Sequence, residues 1–431
     1  MYGDPRFLSL PGNHNLVGMR LRLLSLVLAV VAMGSAVAQT GAPLAPWTPG
    51  SLDIHQISTG RGNAALFILP DGTTMLVDAG AAGDGSPETD PHPDASRTPG
   101  DWIARYIVRH LPVGITDLDY AVITHFHADH MGQVRLSSPM DPTGRYRLAG
   151  ITEVAESIRV HTLLDRGWPD YAYPLPITDE STANYRSFVH ARHDAGMPVE
   201  RFRPGSSSQI VLKHDAARYP AFVVRNIIAN GEVWTGGGDA TRNLFPPIGS
   251  LSAADLPTEN MCSLGVRLQY GSFRYFTGGD LPGAVDPGYP VWHSVEPAIA
   301  GVIGPVDVHV VNQHGSMGEE SDAFIEALQS TVVIVPSWLP SHPAPDVLKR
   351  IINSRFPPLK RYVFATDMRN SARIVIGQRS AQLAAQPGHV VVRVEAGGSQ
   401  YRVFVVENQD ERDIVVAALG PFTGRNGVPI R

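Results

Sequence analysis

Cysteine is almost absent from this chain. Cys262 is the only one in 431 residues, so no intrachain disulfide can form. Charge is sparse as well. Charged residues make up 18% of the sequence and the formal net charge is −6, so bulk attraction to a nucleic-acid backbone is excluded as the basis of function. Long apolar runs are missing too. Residues 23–33 form an apolar stretch too short to span a bilayer comfortably. Repeats and low-complexity tracts are also lacking.

What is present is the composition of a folded α/β protein. Hydrophobic residues reach 43%, enough for one large domain or two smaller ones, and 42 glycines with 36 prolines announce many turns. The short apolar run has its own meaning. It follows the basic Met19-Arg20-Leu21-Arg22 and precedes the small-residue site Ala36-Val37-Ala38. That is the pattern of a secretory leader starting at Met19 and cleaved after Ala38, with residues 1–18 an over-extended start. The expected organisation is therefore a leader over 1–38 and one folded domain over 39–431, secreted or periplasmic. No cysteine follows the cleavage site, which argues against a lipoprotein anchor. Residues 1–38 carry three arginines and one aspartate, so their removal takes the net charge from −6 to −8. No stable nucleic-acid complex and no membrane span in the mature chain are expected.

The densest chemistry lies at Thr124-His125-Phe126-His127-Ala128-Asp129-His130. Residues 119–124 read as a buried strand, apolar or β-branched without a break from Tyr120, so the cluster sits where a strand becomes a loop. His125 and His127 are two apart and project to the same side of an extended turn, where they can grip one metal ion. Asp129 and His130 follow at once and can reach a second. Two further strands end in a metal-binding residue type: 273–277 runs into Gly278-Gly279-Asp280, and 307–312 into Gln313-His314-Gly315-Ser316.

Elsewhere the pattern is mixed. Strands are expected at 51–58, 64–70 and 73–77, the last two joined by Asp71-Gly72 as a hairpin. Helices are expected at 101–110, 182–195, 321–328 and 345–353. Strands are expected at 222–228, from 231, at 263–270 and at 331–336, with a closing hairpin of 390–395 and 401–406. Residues 135–220 are hard to read, and 236–258 read as a surface loop. Strict strand-helix alternation is absent, which argues against a doubly wound sheet.

The motif His125-x-His127-x-Asp129-His130 resembles that of the metallo-β-lactamase fold superfamily. The resemblance implies a four-layer αββα sandwich of two mixed sheets flanked by helices. It implies that Asp78, at the end of Leu76-Val77-Asp78, supports the site from behind, that Asp280 bridges two metals, and that His314 is the last histidine ligand. His125 and His127 would then hold one ion, and Asp129, His130 and His314 the other. Within the superfamily the chain is most similar to the extracytoplasmic hydrolase domain of bacterial DNA-uptake channel proteins, here free-standing and secreted. Ser58 to Asn63 with Pro70-Asp71-Gly72, Glu259-Asn260 before Ser263-Leu264, and Ser341-His342-Pro343-Ala344-Pro345 carry that likeness.

Three departures stand out. Gln313 replaces one of two usual histidines, Gln133 replaces a glycine after the cluster, and Arg61 and Asn63 replace a glutamine and an aspartate. Many members of the superfamily have a third histidine ligand, and His161, His190, His193 and His214 lie in the right interval, with His161 the one on a strand-like stretch. The expected chemistry is hydrolysis by a hydroxide activated between two divalent ions, zinc suiting a His/Asp set without cysteine and manganese or iron remaining open. Asp129 would also orient the nucleophile. His342 would bind substrate or protonate the leaving group. Asn260 would bind substrate, and Trp168, Tyr171 and Tyr173 would form either an aromatic wall or a rigid loop. A phosphodiester is the expected substrate bond, with an amide, lactam, lactone or thioester as the alternative and an inactive binding protein as the third reading.

Overall fold

Apolar strands with no polar face can be stable only when covered on both sides, and this chain has many: Ala64–Ile68 and Val332–Val335 are buried at every position. A computed structural model of the protein describes residues 40–83, 89–285 and 287–425 and shows how they are covered. The leader expected over 1–38 lies outside the described residues. Strands β1 (Leu52–Gln56), β2 (Ala64–Ile68), β3 (Thr74–Ala79), β4 (Leu118–Val122), β5 (Val160–Asp165) and β6 (Val199–Arg201) enter a first sheet. Strands β7 (Phe222–Ala229), β8 (Glu232–Trp234), β9 (Thr241–Asn243), β10 (Gly265–Tyr270), β11 (Phe273–Thr277), β12 (Val308–Val310), β13 (Val332–Val335) and β14 (Tyr362–Ala365) build a second. Strands β15 (His389–Val394), β16 (Gln400–Val406) and β17 (Val415–Thr423) return to the first.

The orders are β17-β16-β15-β1-β2-β3-β4-β5-β6 and β14-β13-β12-β11-β10-β7-β8-β9. Both sheets are mixed. The run β3 to β6 and the run β11 to β14 are parallel, and the remaining pairs are antiparallel. The helices are α1 (Pro99–His110), α2 (Ala128–Met131), α3 (Ile151–Ser157), α4 (Glu180–Asp194), α5 (Glu296–Ile303), α6 (Asp322–Leu328), α7 (Pro345–Ile352) and α8 (Asn370–Ile376). None of the described helices is long and apolar enough to cross a membrane.

Three apolar layers follow from this arrangement. Between the sheets, Leu52, Phe67, Val77 and Tyr120 of the first face Val266, Tyr275, Val308 and Ile334 of the second. Phe67 and Tyr275 meet edge to face at 5.6 Å. Outside the first sheet, Ile103, Tyr106 and Ile107 of α1 pack with Val154 of α3 and Tyr185 and Phe188 of α4. Outside the second, α5 and α6 cover one half and α7 and α8 the other. Each fully buried Leu, Ile, Val or Phe contributes roughly 1.5–3 kcal/mol. This is the αββα sandwich of the metallo-β-lactamase fold.

Local signals explain the elements. Thr98 caps α1 by accepting from the Asp101 amide, and Pro99 opens its first turn. Its buried stripe is Ile103, Ala104, Tyr106 and Ile107, with Trp102 half exposed and bonded to the Asp94 carbonyl. The expected Asp71-Gly72 turn joins β2 to β3, with Gly72 at φ 89°. Two expectations need correcting. The chain does not close on a hairpin, because β17 pairs with β16 beyond it. The loop over 236–258 contains β9 and two short 3-10 turns. Cys262 is a buried core residue, its thiol pushed up to about 12 by burial.

Candidate metal centre

The ligand-bearing loops all leave the C-terminal ends of strands. Asp78 lies at the end of β3, the histidine cluster follows β4, Asp280 follows β11 and His314 follows β12. In sheets with parallel runs this edge is where loops converge and ligands bind. The two sheets approach closely there. Gly279 adopts φ 61°, and a Cβ on it would lie 2.9 Å from Thr124 Cβ, so only glycine brings Asp280 in beside the histidines. The Leu264 amide also donates across to the Thr124 carbonyl at 3.0 Å.

Six donors converge. Asp129, His130, Asp280 and His314 offer atoms within 4.8 Å of one another, and so do His125, His127 and Asp280. Asp280 belongs to both sets, one carboxylate oxygen toward each: Oδ2 is 3.7 Å from His125 Nε2, and Oδ1 is 3.1 Å from His130 Nε2 and 3.7 Å from His314 Nε2. His125 Nε2 lies 3.1 Å from His127 Nδ1, and His314 Nε2 lies 3.0 Å from Asp129 Oδ2. Four ligands at tetrahedral corners about 2.0–2.1 Å from zinc would be about 3.3 Å apart, so this donor spacing fits a metal ion. Asp280 Oδ1 is also buried without a well-directed hydrogen bond, as an atom reserved for a cation would be.

The tautomers point the same way. His130 donates from Nδ1 to Asp78 Oδ2 at 2.7 Å, and His314 donates from Nδ1 to the Pro336 carbonyl at 2.8 Å. Both therefore turn the Nε2 lone pair inward, the usual support of a ligating histidine. Asp78 also accepts from the Thr124 amide, the Thr124 hydroxyl and Asn63 Nδ2, at 2.8, 2.8 and 2.9 Å. Asn63, a departure from the resembled pattern, thus supplies the amide donor that Asp78 uses. Gln133 accepts from the Gly83 amide and ties down the neighbouring loop. His314 follows Gln313 in a turn where both residues have positive φ, 47° and 55°.

Charges are matched by proximity. Burial opposes ionisation of Asp280, but His130, His314 and His125 hold its carboxyl well below the usual range. Burial likewise opposes ionisation of Asp129, which His130 and His314 hold low. Burial would lower His130, but Asp280, Asp78 and Asp129 raise it well above an ordinary histidine, so its Nε2 lone pair would become available when a cation displaces that proton. His125 is lowered by burial and by the neighbouring His130.

His342 stands against this centre. Its ring stacks on His314 at 5.0 Å, Nε2 is 3.4 Å from Ser316 Oγ, and Nδ1 accepts from the Leu339 amide at 3.4 Å. Burial and the adjacent His314 lower it to about 3, so the ring is neutral. Trp338 sits edge-on to both rings. Asn260 is half-buried, and its Oδ1 has no hydrogen-bond partner among the described residues.

Other expected site residues lie elsewhere. His161 is exposed on β5 and bonds Asp117 at 3.0 Å, so it joins neither donor set. His190 and His193 ride on α4 against Trp168, and His214 bonds Asp119. None of these supplies a third histidine ligand, because strands and helices carry their side chains to other partners. The aromatic loop is rigid rather than a site wall: the hydroxyls of Tyr171 and Tyr185 both donate to buried Asp165, and Tyr171 packs on Phe126 and Tyr185. Sequence reasoning gave no site role to Thr124, Arg166 or Glu259. A signal existed for two of them: Arg166 is a charge at the end of an apolar strand, and Glu259 adjoins Asn260.

Comparison with known proteins gives a family-model match over part of the chain. Residues 58–137 match the family model of the Metallo-beta-lactamase superfamily. The matched segment holds the first hairpin, Asp78 and the whole histidine cluster. Curated proteins include no match. Among solved structures, a mutant CmlA β-hydroxylase is 14% identical over 75% of this chain and 53% of that one, with a TM-score of 0.38. The chain thus spans about half the length of that protein. Zn2+-bound PqqB from Methylobacterium extorquens is 12% identical over 80% of this chain and 99% of its own, with a TM-score of 0.38. Unliganded yeast PDE1 is 11% identical over 80% and 99%, with a TM-score of 0.35. All three likenesses are distant, and none bears on the substrate.

Proposed function

We propose that the protein is an exported hydrolase that uses two divalent metal ions to cleave a phosphodiester. The observation that carries the reading is the sorting of six donors into two sets that share Asp280. His125 and His127 would hold one ion, Asp129, His130 and His314 the other, and Asp280 both. Nitrogen and carboxylate donors without thiolate favour zinc and also suit manganese or iron. Such ions lower the pKa of water and offset charge on the reacting oxygens.

The chain's own groups do the rest. Asp129 is the more exposed carboxylate of the site, with 17% of its side chain accessible against 5% for Asp280. It is therefore the one placed to orient an attacking water. His342 accepts from Leu339 at Nδ1, so its proton is on Nε2, 3.4 Å from Ser316 Oγ; stacked beside His314, the ring would serve as a neutral donor to a substrate or leaving-group oxygen that reaches Nε2. Asn260 is assigned to substrate binding by its place beside Glu259, its Oδ1 itself being enclosed by protein. The phosphodiester assignment is supported by the paired sites, which suit an in-line displacement between two ions. The likeness of Glu259-Asn260 and His342-Pro343 to the DNA-uptake hydrolases also supports it. Export is supported by the basic, apolar and small-residue succession over 19–38.

A panel of chromogenic phosphodiesters, cephalosporins, lactones and thioesters, assayed with metal-loaded protein, tests the substrate. Hydrolysis of the phosphodiesters, abolished in His127→Ala together with metal uptake, is the expected result. Turnover of the carbon esters alone would replace the phosphodiester reading, and metal-free, inactive wild-type protein would favour a binding role. Sequencing of exported protein should begin at Gln39.

A further inference from the structure

An arginine is rarely buried without a specific task for its charge. Arg166, the residue after β5, is among the largest fully buried side chains of the protein. It forms a two-pronged ion pair with Glu259, Nε to Oε1 at 2.8 Å and Nη2 to Oε2. Its Nη1 donates to the Tyr173 carbonyl and to Asn230 Oδ1, both at 3.0 Å, and Asn230 Nδ2 donates back to the Arg166 carbonyl at 2.8 Å. The guanidinium also lies over the Phe126 ring, 4.6 Å from its centroid.

Glu259 does one more thing. Its Oε1 accepts the Phe126 amide at 2.7 Å. Phe126 is the residue between His125 and His127. The backbone joining these two histidines is therefore held at its amide by Glu259 and at its side chain by Arg166. Neither group is near enough to the donor sets to be a ligand. The pair also joins the two sheets, since Arg166 follows β5 of the first and Asn230 lies in the turn between β7 and β8 of the second. Asn260, the proposed substrate contact, is the next residue after Glu259.

From this geometry we infer that Arg166 and Glu259 are positioning residues that set the His125-Phe126-His127 turn, and so tune the ion site formed by His125 and His127 separately from the site formed by Asp129, His130 and His314. The inference rests on the two-ion reading above. Removing a partner that orients a ligand typically weakens metal binding about 10- to 100-fold. Here the loss should fall on one site of the two. Glu259→Gln keeps an oxygen for the Phe126 amide and loses the charge pair, so it should sit between wild type and Glu259→Ala. Arg166→Lys keeps the charge and loses the two-pronged geometry.

The test is a cobalt titration of metal-free full-length protein, followed by the visible absorption of the bound ion. Hydrogen exchange of the peptide containing Phe126 is measured in the metal-free state. The expected result is two binding phases in wild type. In Glu259→Ala one phase should weaken about tenfold or more while the other is retained, with partial rescue in Glu259→Gln. The Phe126 peptide should exchange faster in the variants. Two unchanged phases in folded Glu259→Ala, or equal weakening of both, would overturn the positioning role. If Glu259→Ala does not fold, Glu259→Gln and Arg166→Lys give the same reading. A wild-type protein that takes up no cobalt, zinc or manganese would overturn the two-ion centre itself, and the positioning role with it.

Discussion

At the residue scale, Asp78 shows how one buried carboxylate can organise a centre it does not enter. It accepts four hydrogen bonds, from the Thr124 amide, the Thr124 hydroxyl, Asn63 and His130. It also sits at φ 61°, a conformation that Asn tolerates and most residues resist. Asp78→Ala leaves four donors without a partner and strains the backbone, so thermal or urea unfolding should show a loss of about 3–5 kcal/mol. Metal affinity should fall about 10- to 100-fold, because His130 loses the group that fixes its tautomer. Asp78→Asn keeps one acceptor and the backbone geometry, and should lose less of both. Equal stability and equal metal affinity in wild type and Asp78→Ala would refute this account.

At the element scale, Asp165 plays the matching role for the segment that defied sequence reading. It ends β5, accepts the Gly167 and Trp168 amides, and takes the hydroxyls of Tyr171 and Tyr185 at 2.7 and 2.9 Å. It thereby staples the 167–173 loop to α4. Asp165→Ala should cost about 3 kcal/mol in urea unfolding and reduce the near-ultraviolet circular dichroism of the two tyrosines, while Asp165→Asn should cost less. An unchanged unfolding curve would show that the loop is held by packing alone. Elements such as β2, β3, β10 and β11 were legible because apolar runs and Gly-containing turns agree with each other. The candidate metal donors were legible because a strand that ends in a metal-binding residue type repeats at three places. Others were hidden for physical reasons. Helix α5 carries Pro297 in its first turn and Gly301 within, so tertiary packing and not propensity makes it helical. Strand β17 contains Gly420-Pro421, tolerable only because it lies at the sheet edge. The Arg166–Glu259 pair joins positions 93 apart, which no local pattern reveals.

At the scale of the whole molecule, the donors come from both sheets: four from the loop after β4, and Asp280 and His314 from loops after β11 and β12. An ion held there ties the two layers together, so zinc at about 100 times its dissociation constant should stabilise the fold by roughly 2.7 kcal/mol, and chelation should reverse that. A second device couples the second sheet to pH. Glu296 is fully buried, accepting from Asn312 Nδ2 and the amides of Glu320 and Ser321. A Cβ on Gly283 would lie 2.5 Å from Glu296 Oε2 and 2.9 Å from Glu319 Oε2, so both carboxyl groups crowd one glycine. Glu320 is engaged by His309 at 2.9 Å, and Arg350 reaches the Glu319 carbonyl while pairing with Asp346. Burial and the neighbouring Glu320 push Glu296 up to about 8, and burial with Glu296 raises Glu319. A raised folded value means that the native state holds a proton the unfolded chain has released. The stabilisation is complete below the unfolded value of 4.5 and is lost as pH rises through about 8. Between those limits stability should fall by about 1.4 kcal/mol per pH unit for each such proton. Glu296→Gln, which is neutral and can still accept from Asn312, should flatten the slope. Urea unfolding of metal-free wild type and Glu296→Gln from about pH 5.5 to 8.5 measures it by difference, which cancels the rising contribution of the buried, neutral His342 and His389, and equal slopes in the two proteins would mean that Glu296 is ionised in the native state.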